Sequence, residues 1–112
     1  MRTRVVARFS VEGFHAWPGA GGDAAFLASR HRHVFHVAAS VWVEHADRDV
    51  EFILLGRGLR LALTTAFGEP AEFGAMSCEH VARWLIEACE HRWHSCEVSE
   101  DGENGAVLEV EP

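Results

Sequence analysis

No apolar run in this 112-residue chain approaches the roughly 20 residues that a membrane-spanning helix needs. Met1-Arg2-Thr3-Arg4 leads straight into strand-like sequence, so neither a signal peptide nor a transmembrane segment is expected. Cysteine is sparse. Cys78, Cys89 and Cys96 are odd in number and lack CxxC spacing, which points to a reduced, cytoplasmic setting. Basic charge is also in deficit. Ten Lys plus Arg stand against 17 Asp plus Glu, giving a net charge of -7 and a pI of about 5.5. That balance argues against nucleic acid and anionic membrane as main partners. There is no internal repeat and no low-complexity tract. The length predicts one domain over residues 1–112, with a core small enough to favour assembly into a homo-oligomer.

What the chain does have is histidine, eight residues in all. The organising stretch is Arg30-His31-Arg32-His33-Val34-Phe35-His36-Val37, which continues through Val43. Phe35, Val37, Ala39, Val41 and Val43 are apolar at every second position, the signature of a strand with one buried face. His31 and His33 fall on that same face. Two imidazoles one strand repeat apart can grip one metal ion. His36 falls on the opposite face.

The remaining elements follow from periodicity. Val5, Ala7, Phe9 and Val11 alternate with polar residues over 3–11, predicting a strand that Gly13 loosens. Pro18 to Asp23 reads as a loop. From Val50 to Phe67 the apolar spacing becomes helical, with Asp49 as N-cap. Gly56 and Gly58 weaken that helix by about 1 kcal/mol each and suggest a close approach of the sheet. Gly68-Glu69-Pro70 ends it. A second helix starts at the N-cap Ser77. Strands at 97–101 and 106–110 flank a hairpin turn, with Gly102 and Gly105 supplying positive φ. The order β-β-α-α-β-β predicts an α+β fold, a four-stranded antiparallel sheet with two helices on one face.

This order and several motifs resemble the 6-pyruvoyl-tetrahydropterin synthase and 6-carboxy-tetrahydropterin synthase family, whose fold is called the T-fold or tunnelling fold. Val11-Glu12-Gly13-Phe14-His15 stands where that family carries its first zinc-binding histidine. His31-Arg32-His33-Val34-Phe35 matches the spacing of its His-Gly-His strand. Met76-Ser77-Cys78-Glu79-His80 is similar to the start of its second helix, and Val98-Ser99-Glu100-Asp101 to the hairpin whose glutamate anchors the pterin ring. The resemblance implies Zn2+ on His15, His31 and His33. It implies substrate contacts from Glu100 and Glu79. It also implies a trimer-based ring, possibly a hexamer, and a lyase acting on a pterin, of the kind that feeds deazaguanine and queuosine synthesis. A non-catalytic domain that binds a pterin- or purine-like ligand is the alternative.

The chain departs from the family pattern at the reaction itself. The family's catalytic cysteine stands four residues before the first histidine of the pair, where this chain has Leu27. The family's Asp-His pair lies between the helices, and residues 64–75 contain neither residue. Cys78 is the leading substitute, because a helix N-terminus favours a thiolate. His36, Asp23 and Glu69 are the other candidate bases.

Overall fold

A computed structural model describes residues 1–111. Its framework is the antiparallel pair β1 (Thr3–His15) and β2 (His31–Val43). Both strands alternate. Ala7 and Val11 on one, and Phe35, Val37, Ala39 and Val41 on the other, are buried on a single face. β1 runs past Gly13 to His15, four residues beyond the end expected from its pattern. Gly13 is part of the packing: a Cβ there would lie 2.9 Å from Phe73 and 3.0 Å from Phe35. The bare backbone makes room for two aromatic rings, and His15 therefore sits on a strand rather than in a loop.

The fold is α+β, with a five-stranded sheet in the order β3-β1-β2-β4-β5 and two main helices. α1 is Phe52–Phe67, β3 is Ala71–Gly74, α2 is Cys78–Ala88, β4 is Trp93–Glu100 and β5 is Asn104–Glu109. Four strands were expected, all antiparallel. The fifth, β3, pairs parallel with β1 at Gly13↔Ala71 and Phe14↔Glu72. It places the buried Ala71 and Phe73 against the core while Glu72 and Gly74 stay exposed. The four residues of β3 are too few to establish a period in sequence.

Leu55, Leu59 and Leu63 of α1 and Val81, Ala82 and Leu85 of α2 join the same core cluster as the inner sheet face. Both helices thus cover one side of the sheet. Burying each such leucine fully contributes about 1.5–3 kcal/mol. Among the described residues, no helix is long and apolar enough to cross a membrane.

Local signals differ from expectation at several points. α1 is capped by Glu51, whose carboxylate accepts from the Ile53 and Leu54 amides. Asp49 instead accepts the Glu44 amide at 2.6 Å. Ser77 caps α2 as expected, in a reciprocal pair with His80. Gly56 lies against the sheet, its absent Cβ 3.6 Å from Ala7, but Gly58 faces open space. In the β4–β5 turn, Gly102 (φ 71°) and Asp101 (φ 56°) hold the positive-φ positions. Gly105 is there for a different reason: a Cβ would lie 2.3 Å from the Val98 carbonyl oxygen.

These two glycine environments predict opposite outcomes. Gly58→Ala should stabilise the protein by about 0.5–1 kcal/mol, because helical glycine carries an entropy cost and nothing obstructs the methyl group. Gly105→Ala should destabilise it by about 3 kcal/mol, because backbone must move to admit the methyl group. Urea denaturation of both variants checks this, and equal midpoints would contradict it.

Candidate metal centre

The register of β1 on β2 builds this site. His15 pairs directly with His31, and Gly13 pairs with His33. Alternation then sends all three imidazoles to one side of the sheet. Their ring centroids are 4.6 Å apart for His15–His31, 4.9 Å for His31–His33 and 5.4 Å for His15–His33. The potential ligand atoms lie within 4.8 Å of one another, close enough to share one metal ion. Phe35, wholly buried, floors the cluster at 5.1 Å from His15 and 5.8 Å from His33, centroid to centroid.

The outer nitrogen of each ring is occupied. His15 Nδ1 lies 2.9 Å from the Met76 carbonyl oxygen and His31 Nδ1 lies 2.8 Å from that of Ser29. His33 Nδ1 lies 2.6 Å from Asp101 Oδ2. Carbonyls and carboxylates accept, so each ring donates from Nδ1 and turns Nε2 toward the cluster. This arrangement, with the far nitrogen donating to a carbonyl or carboxylate, is the usual support for a metal-bound imidazole.

Glu100 faces the same point. One oxygen lies 3.0 Å from His15 Nε2 and the other 3.5 Å from His33 Nε2. His33 Nε2 is buried and has no hydrogen-bond partner. The imidazole Nε2 atoms and a carboxylate thus converge on one point, and a cation in their midst would satisfy all of them. The residues could hold a metal ion: three imidazoles with an adjacent carboxylate are the donor set that zinc and the other first-row divalent ions take.

Beside this cluster opens a cavity of about 570 Å³, within the range of small-molecule sites. His15 and His31 form one wall. Leu27, the exposed Trp17, Glu100 and the start of α2 with Cys78, Glu79 and His80 also line it. Leu27, at the family's cysteine position, therefore reaches the cavity but brings no titratable group. Asp23, His36 and Glu69 do not line it. His36 is on the outer sheet face with Arg8 and Ser10, and Glu69 pairs with Arg60.

Cys78 is present in the cavity, but as a thiol rather than the expected thiolate. Its Sγ lies 3.7 Å from Glu100 Oε2. Burial, then the Glu100 carboxylate, push its pKa up to about 12. Burial and the neighbouring charge outweigh the helix N-terminus, which acts in the other direction. Two site residues gave no sequence signal. Asp101 looks like a turn residue, and its contact with His33 crosses from one hairpin to another. His80 looks like a surface histidine, yet its capping role places it on the cavity wall.

Burial also pushes Cys96 up to about 12. A group whose folded pKa exceeds its unfolded value leaves stability intact below the unfolded pKa, about 8.5 for cysteine, and removes it as pH rises toward the folded pKa. The chain has no tyrosine and no lysine, so cysteines dominate side-chain titration in that window. Unfolding free energy should therefore fall between about pH 9 and pH 12. The Cys78→Ala/Cys96→Ala double variant should show a flatter profile over the same range by chemical denaturation. Identical slopes in the two proteins would contradict the assignment.

No family model matches the chain and no curated protein matches it, so its functional reading rests on these residues and their geometry.

Proposed function

We propose that the protein is a zinc-dependent T-fold enzyme of the 6-carboxy-tetrahydropterin synthase type, acting on dihydroneopterin triphosphate or a related pterin in the cytoplasm. The observation that carries this reading is the convergence of three imidazole Nε2 atoms beside a cavity that Glu100 also lines. His15, His31 and His33 would hold the ion. Zinc bound there would polarise a carbonyl or hydroxyl of the substrate side chain.

The other residues take roles that their positions support. Glu100 sits on a strand end, where a carboxylate is held firmly enough to accept the paired N–H groups of a pterin edge. Glu79 lies in the first turn of α2 and lines the same cavity. Leu27 and Trp17 offer apolar surface to a flat ring. With Cys78 protonated at neutral pH, proton abstraction falls to Glu79, Glu100 or His80, the titratable groups that line the cavity besides the histidine cluster.

Leu27 and the protonated Cys78 also favour a second reading, a domain that binds a pterin- or purine-like ligand without turning it over. Assembly belongs to both readings. The edge strands β3 and β5 leave unpaired backbone groups, which pairing between subunits would satisfy in a trimer-based ring, doubled to a hexamer.

Metal analysis tests the core of the proposal. The purified protein should carry one zinc per chain, and His31→Ala and His33→Ala should each lose it; unchanged zinc content in both variants overturns the site. Turnover of dihydroneopterin triphosphate separates enzyme from binding domain. Ligand binding without product supports the second reading, and neither binding nor product removes pterins from consideration. Light scattering at micromolar concentration should give a multiple of three subunits, and a monomer contradicts the ring.

A further inference from the structure

The three histidines are not supported alike. His15 and His31 rest on backbone carbonyls, those of Met76 and Ser29. His33 rests on the side chain of Asp101. We propose that Asp101 is a positioning residue that fixes His33 in the Nδ1–H tautomer and so sets the affinity of the centre for its metal. This rests on the metal reading above and adds a residue which neither the family resemblance nor the sequence pattern assigns.

The residue type follows from the contacts. Asp101 Oδ2 lies 2.6 Å from His33 Nδ1, and Oδ1 accepts the Val34 amide at 2.9 Å. The Asp101 amide in turn donates to the Val34 carbonyl at 2.8 Å. An ionised carboxylate has acceptors on both oxygens and no donor, so it can serve two N–H groups at once. Its backbone at φ 56° is in the left-handed region, which aspartate and asparagine tolerate better than most residues. That turn is what returns the side chain to β2 immediately after Glu100. Consecutive residues thus address opposite nitrogens of one ring: Glu100 faces Nε2 and Asp101 takes Nδ1. The negative charge on the Nδ1 side also makes Nε2 a more basic ligand.

Asp101→Asn separates positioning from structure. Asparagine keeps the shape, the left-handed backbone and an oxygen for the Val34 amide. Its other terminal atom is a nitrogen donor, which opposes the His33 Nδ1–H. The ring then moves its proton to Nε2 and withdraws the lone pair from the metal. Zinc affinity, measured by competition with a chromophoric chelator, should fall by about 10–100-fold. Long-range ¹H–¹⁵N spectra of the metal-free proteins should show His33 as Nδ1–H in the unmutated chain and Nε2–H in the variant. The unfolding midpoint and the remaining amide shifts should change little.

Equal zinc affinity in Asp101→Asn overturns the proposal. So does weaker affinity with His33 still in the Nδ1–H form, since that reports general disruption. Should the variant fail to fold, the unmutated spectrum decides, and Nε2–H on His33 refutes the role. If the unmutated protein binds no zinc, the metal reading fails and this inference with it. If it binds zinc and the variant binds equally well, the role of Asp101 alone fails.

Discussion

The register between β1 and β2 is the constraint on which the rest of this protein depends. It sets His15 opposite His31 and Gly13 opposite His33. A slip of one residue would send one strand's histidines to the other face of the sheet, because side chains alternate with a period of two. The same slip would expose Phe35 and Val37, which are almost fully buried. Core packing thus enforces one register, and that register assembles the histidine cluster. Gly13 is the local device that permits it, since its missing side chain lets Phe35 and Phe73 meet beneath the histidines.

Electrostatics then gives the cluster its chemistry. Three rings with occupied outer nitrogens turn three Nε2 atoms inward, and Glu100 adds a carboxylate on the same side. In a half-buried setting such a group of acceptors is costly without a cation. Burial, then the same carboxylate, raises the Cys78 pKa, so the surroundings that favour a cation disfavour a thiolate nearby. The Asp101 carboxyl stays below its usual range because the Val34 amide, then the His33 ring, donate to it.

Much of this is legible in the sequence where long periods are involved. The alternation over 35–43 marks β2 and places His31 and His33 on its inner side. The helical stripe through Leu55, Leu59 and Leu63 marks α1, and Ser77 marks the start of α2. Short or non-local features are not legible. β3 has only four residues, and its partner is β1, nearly sixty residues earlier. Gly105 looks like a turn glycine, but the Val98 carbonyl that excludes its side chain belongs to the neighbouring strand. Glu51 outcompetes Asp49 as a cap because Asp49 is engaged by Glu44, a contact between loop residues that propensity does not encode. Cys78 fails as a thiolate because it is buried and because Glu100, 22 residues away in sequence, lies beside it.

X-ray absorption spectroscopy of the zinc-loaded protein tests the central claim most directly, because it reads the ligand atoms themselves. The expected spectrum shows three imidazole nitrogens about 2.0–2.1 Å from the metal, with oxygen completing the shell. A sulfur scatterer near about 2.3 Å, or a shell with fewer than two imidazoles, would contradict the His15–His31–His33 centre.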